Sequence, residues 1–168
     1  MVVTDAALTC LGRWGVAKTT LDDVAREAGV SRATLYRRYP GGKDALLRAT
    51  VDAEVDAFRQ RLAARLAAAG SRQERIVAAL VEGTRTLRDH PVLHYLRDHE
   101  PDVLAPYLGF TRYERVLALG ASLVAPALDA HDGEWVTRVV LSYAFIPSEW
   151  YDLGDEDDAR RFVRELFP

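Results

Sequence analysis

Cysteine, lysine and long apolar runs are what this sequence has least of, and each shortage excludes something. Cys10 is the only cysteine in 168 residues, so no intrachain disulfide can form. It falls between Leu8 and Leu11 on an apolar helical face, where a packed, inert thiol is expected. No apolar run approaches the ~20 residues needed to span a bilayer, and no basic-then-apolar leader opens the chain, so a cytoplasmic protein without membrane partners is expected. GxSxG, a phosphate loop, GxGxxG and HExxH are all missing, and carboxylates alternate with arginines as on solvated helix faces. No catalytic residues and no cofactor are therefore expected. Lys18 and Lys43 are the only lysines, so any exposed basic face is arginine-rich whatever its role.

What is present is a helical composition. Half the residues are apolar, prolines and glycines are few, and Ala, Leu, Arg, Glu and Asp recur in long stretches. The net charge of −3 is unevenly spread. Residues 1–50 hold eight basic and five acidic residues, and the remainder fourteen and twenty. A basic head on an acidic body suits a protein that meets phosphate with one end.

The stretch Leu21 to Tyr39 carries the most information. Leu21, Val24, Ala25 and Ala28 recur at helical spacing, Thr20 precedes them as an N-cap, and Asp23 completes an approximate capping box. Gly29 supplies a stop, and Ser31 caps a second helix whose Leu35 and Tyr39 point back at the first. Two short helices about a glycine turn predict a helix-turn-helix, with residues 31–39 as the recognition helix. Its outward side would carry Ala33 and Arg37, flanked by Thr34 and Tyr36, with Arg32 at the tip. Such a face offers groups for base edges and phosphates. The competing reading is an αα-hairpin whose arginines are merely solvated.

Along the chain, a first helix is expected over about residues 3–14, ending near Gly15, and a long one from Lys43 to about Ala69. Further helices are expected over 72–88, from Pro91, after Glu100-Pro101-Asp102, over 110–124, over 135–145 and after Asp155. Lys43, at a helix N-terminus, would grip a phosphate together with free backbone N–H groups. His90, His94 and His99 with Asp89, Asp98 and Glu100 form the one metal-like cluster. Pro91 puts His90 at a helix boundary rather than on its face, so no metal site is expected. The fold expected is all-α: a helix-turn-helix domain of three helices over residues 1–48 and a helical effector-binding and dimerisation bundle over 49–168.

Thr19-Thr20, Val24-Ala25, Ala28-Gly29-Val30-Ser31, Thr34-Leu35-Tyr36-Arg37-Arg38-Tyr39-Pro40 and Lys43-Asp44-Ala45-Leu46-Leu47 together resemble the DNA-binding domain of the tetracycline-repressor (TetR) family, over about residues 3–50. Asp89-His90-Pro91-Val92-Leu93 and Leu141-Ser142-Tyr143 through Pro147-Ser148 are similar to one group of its regulatory domains. The resemblance implies a homodimeric transcriptional regulator, usually a repressor, that binds a double-stranded operator and a small-molecule effector of unknown identity. Carried over by position, Thr20 and Lys43 would contact phosphates, Arg32, Ala33, Thr34 and Arg37 would face bases, Tyr36 and Arg38 would lie on the backbone beside them, and Ser31 would belong to the same DNA-binding set. The sequence departs from the family pattern at three points. Arg38 stands where many members have histidine, Gly41-Gly42 carries an extra glycine, and Asp22 stands where some members place a base-reading arginine.

For the C-terminal body, His94, Tyr95, Tyr107, Phe110, Tyr113 and Tyr143 are expected to line an effector cavity, apolar with a few polar tips. Core packing is the alternative for each. Val136, Val139 and Val140 on one helix and Phe162, Val163 and Leu166 on another are expected to pair isologously with a second copy. A helical small-molecule-binding protein or an enzyme without DNA binding is the alternative function.

Overall fold

The computed structural model describes residues 2–108 and 112–166, and these fall into two compact units. The first holds residues up to Ala57 together with Pro91–Leu104, and the second holds Phe58–His90 with the residues from Ala105 onward. All regular structure among the described residues is helical. No helix among them is long and apolar enough to cross a membrane.

In the first unit, α1 (Val3–Lys18), α2 (Leu21–Ala28), α3 (Arg32–Arg38) and the start of α4 (Gly42–Ala68) surround a small core. Val3, Ala6, Ala7 and Cys10 of α1 meet Leu21, Val24 and Ala25 of α2, Leu35 and Tyr39 at α3, and Leu46 of α4. Small residues on α1 and α2 let the two backbones cross closely. The Cys10 thiol is buried, and that burial raises its pKa above the usual thiol value, as an inert packed group requires.

Gly15 breaks α1 with φ +78° and ψ 179°, a conformation essentially reserved for glycine, and the chain then resumes a helical course to Lys18. The break exposes backbone donors that the regular helix would have used. Glu100 accepts from two of them, Val16 N at 2.9 Å and Ala17 N at 3.2 Å. Lys43 Nζ donates to the carbonyls of Val16 and Ala17. Helix α6 (Pro91–His99) lies against α1, with Val92 and Leu96 on Leu11. Residues from 91 to 104 thus complete this unit, a long-range association that local sequence pattern does not announce.

The second unit is built on α5 (Arg72–Arg88), opened by a complete Ser71–Glu74 capping box. Ile76, Val77, Leu80 and Val81 are buried among Val136 and Val140 of α9 (Ala130–Phe145), Leu153, and Ala159 and Val163 of α10 (Glu156–Leu166). Helix α8 (Tyr113–Val124) crosses α9 closely because Gly120 faces Thr137 and Gly133 faces Ala121 and Val124; a Cβ at Gly120 would stand 2.3 Å from Thr137 Cγ2. A short α7 (Pro101–Leu108) divides between the two units.

Helix α9 starts at Ala130, earlier than the expected 135. Ala130-His131-Asp132-Gly133-Glu134 has no apolar period and reads locally as a loop. Asp129 caps the helix by accepting from Asp132 N at 2.8 Å. Asp132 is only 2% exposed, and Arg72 at the start of α5 donates to it from Nε at 2.6 Å. That guanidinium is the main reason the Asp132 carboxyl is held below the ordinary aspartate range.

Candidate nucleic-acid interface

The helix-turn-helix is built from local signals that agree. Thr20 Oγ1 accepts from Asp23 N at 3.2 Å, and the Asp23 carboxylate accepts from Thr20 N at 3.1 Å and Thr20 Oγ1 at 2.6 Å. The Thr20 hydroxyl is the first cause of the lowered Asp23 pKa. Gly29 takes φ +68°, and Val30 N bonds to Ala25 O while Gly29 N bonds to Arg26 O, the paired bonds of a Schellman turn. Ser31 Oγ then accepts from Thr34 N at 3.1 Å and opens α3.

Leu35 and Tyr39 anchor α3 inward, so its opposite side is left to solvent. Ser31, Arg32, Ala33, Tyr36, Arg37 and Arg38 are all exposed, and Thr34 is half-buried. Tyr36 is 49% exposed, unusual for a large ring on a small domain unless a partner covers it. Arg38 lies over the Tyr39 ring at 5.8 Å. Arg37 makes no ion pair or hydrogen bond among the described residues, so its five donors face water. The helix carries no acid of its own. Arginine, hydroxyl, methyl and aromatic groups thus share one free face, the mixture that reads bases and grips phosphates in a major groove.

Two of the expected contacts have a second occupation in the fold. The Thr20 hydroxyl is held by its capping box, and the Lys43 ammonium bonds the Val16 and Ala17 carbonyls in the last turn of α1. An acid missed from the sequence lies beside the recognition helix: Asp22 Oδ1 is 2.6 Å from Arg32 Nε. Its signal was present, an aspartate in the first turn of α2 ahead of an arginine opening α3, but which side chains meet across a turn depends on the crossing of the helices.

The residues expected to line an effector cavity divide between the two units. His94 and Tyr95 belong to the first unit, where His94 is exposed and Tyr95 stacks on His99 at 4.5 Å between ring centres. Tyr113 and Tyr143 belong to the second, where Arg138 covers the Tyr113 ring and Tyr143 meets Phe162 edge-on at 5.5 Å. Tyr107 and Phe110 lie outside the residues whose side chains are described. A hollow of about 480 Å³ in the second unit is lined by residues such as Arg65, Ser71, Glu74, Val77, Arg160 and Val163.

The expected partner surface also needs correction. Val136, Val140 and Val163 are buried in the core around α5, so a second copy cannot reach them without unpacking the chain. Val139 and Phe162 are partly buried against the same core, and Leu166 is exposed. Helical period identified an apolar face, but not that α5 would cover it. Asp129, His131 and Asp132 bring potential metal-ligating atoms within 4.8 Å of one another, yet Arg72 already neutralises Asp132.

Comparison with known proteins agrees with this geometry. Residues 3–50 match the family model described as bacterial regulatory proteins, tetR family. An uncharacterized HTH-type transcriptional regulator of Mycobacterium tuberculosis is 27% identical over 98% of this chain and 81% of its own length. A TetR/AcrR-family transcriptional regulator of Thermobifida fusca superposes with a TM-score of 0.54 at 26% identity, over 98% of this chain and 93% of the other. The TetR-family repressor AlkX of Dietzia, implicated in n-alkane biodegradation, superposes with a TM-score of 0.56 at 21% identity, over 98% and 90%. Residues 3–50 thus form a DNA-binding helix-turn-helix domain of the kind that the tetR family of bacterial regulatory proteins carries.

Proposed function

We propose that the protein is a ligand-responsive repressor that binds a palindromic operator as a homodimer in the cytoplasm. The observation that carries this is the free outer face of α3, with Arg32, Ala33, Tyr36 and Arg37 all open to solvent. Each subunit would lay residues 31–39 in a major groove, with half-sites about 34–36 Å apart or a multiple of that spacing. Backbone contacts would supply salt-dependent affinity, and the base-facing side chains would supply sequence choice.

A second copy would pair through the second unit, which leaves Leu119, Ile146, Trp150 and Leu166 exposed; Trp150 is 79% accessible. These residues, with the partly buried Val139 and Phe162, replace the buried valines as the surface proposed for pairing. A small molecule bound in the C-terminal body would prefer one of two separations of the DNA-binding heads. Repression would then be relieved only to the extent of that differential affinity.

Selecting duplexes from a random pool tests the reading. A palindromic site, bound by a species that sediments as a dimer at micromolar concentration, is the expected result. An asymmetric site bound by a monomer would exclude the homodimer, and failure to select any site at low salt would exclude the regulator.

A further inference from the structure

We infer that Asp22 is a specificity-determining residue: its carboxylate, in the first turn of α2, holds Arg32 to read a guanine in each operator half-site. This rests on the DNA-binding reading above and adds to it a base, a position and a positioning residue.

Asp22 Oδ1 stands 2.6 Å from Arg32 Nε, and that oxygen is closed off from solvent. The Arg32 side chain is nevertheless 69% exposed. The two form an ion pair by distance without hydrogen-bond geometry, and no other residue among those described engages the guanidinium. With the acid beside Nε and the side chain 69% exposed, the two terminal nitrogens, the pair that meets O6 and N7 of guanine, keep no hydrogen-bond partner among the described residues. Arg32 is the first residue of α3, and the N-terminal end of a recognition helix is where base edges are read. An untethered arginine must lose rotamer freedom on binding, and an ion pair already formed in the free protein removes part of that loss.

The charge itself argues the same way. A carboxylate beside a face that meets phosphate weakens binding to every duplex alike, so it is a poor choice for raising affinity. An exposed ion pair also adds little to stability. What the acid improves is the contrast between one base and the other three. Arg37, which has no such partner, is oriented only by its backbone.

The test is selection from a random duplex pool with the wild-type chain, Asp22→Asn, Asp22→Glu, Arg32→Ala and the double variant Asp22→Asn/Arg32→Ala, with thermal unfolding of each. One guanine per half-site is expected in the wild-type motif, and its preference should disappear in Arg32→Ala. In Asp22→Asn that preference should fall about threefold, the size of part of the cost of ordering one long side chain. The other positions and the unfolding midpoint should be unchanged, and affinity for random duplex should hold or rise. Asp22→Glu should restore part of the preference, and Asp22→Asn should change nothing further once Arg32 is alanine. A wild-type motif that survives intact in Asp22→Asn, or one altered equally in the Arg32→Ala background, overturns the inference alone. A wild-type chain that selects no motif removes the DNA-binding reading and this inference with it.

Discussion

Gly15→Ala is expected to destabilise the first compact unit by about 3 kcal/mol or more, combining a glycine-only backbone conformation with the loss of charge-assisted hydrogen bonds. At φ +78° and ψ 179° any L side chain is strained, and here space is lacking as well. A Cβ would lie 2.3 Å from Tyr95 Cε1 and 2.4 Å from Glu100 Oε1. Relieving the clash moves Glu100 away from Val16 N and Ala17 N, leaving two donors without their carboxylate. Thr19, buried and donating from Oγ1 to Gly15 O at 2.7 Å, would be displaced too. Urea denaturation followed by circular dichroism checks this, with hydrogen exchange in α1 and α6 assigning the loss to the first unit. An unchanged profile would mean that α1 is not broken at Gly15.

The second large effect belongs to Leu80→Ala, expected to cost about 2–5 kcal/mol in the second unit. Leu80 is fully buried at the middle of α5, with Ile76, Val77 and Val81 beside it and α9 and α10 packed against the helix. Collapse around the vacancy is resisted because α9 is held at its start by Arg72 and Asp132 and lies close to α5 where Gly83 meets Val140. Most of the cavity cost should therefore be retained. A calorimetric scan should show the transition of the second unit moved down and that of the first unchanged. Loss of less than 1 kcal/mol would mean that the site repacks freely.

The two sites differ in how much the sequence disclosed. Around α2 and α3 every determinant is local: a capping threonine and aspartate, a turn glycine, a capping serine and two inward side chains. Pattern was sufficient there, and the exposed face followed from it. Gly15 was visible as a helix stop, but that helix resumes beyond it depends on Glu100 and Lys43, both far away in sequence. The start of α9 was missed for a related reason, since Asp132 looks like a loop residue until Arg72 of another helix meets it. Val136, Val140 and Val163 show the limit of periodicity most plainly. Their spacing marks an apolar face, while the identity of the covering surface is a tertiary fact. Helix α6, which carries His94 and Tyr95, packs on α1, an association between segments some eighty residues apart that local pattern does not announce.

Binding of a selected operator and a scrambled duplex, followed by fluorescence anisotropy over a range of salt, tests the central claim most directly. Wild-type protein should prefer the operator, and Arg37→Ala should lose about 1–3 kcal/mol of that preference while keeping its affinity for the scrambled duplex. Lys43→Ala should weaken both alike, through any phosphate contact and through loosening of the last turn of α1, whose carbonyls Lys43 holds. Equal losses from Arg37→Ala on both duplexes, or wild-type binding with no preference at any salt, would contradict an α3 face that reads sequence.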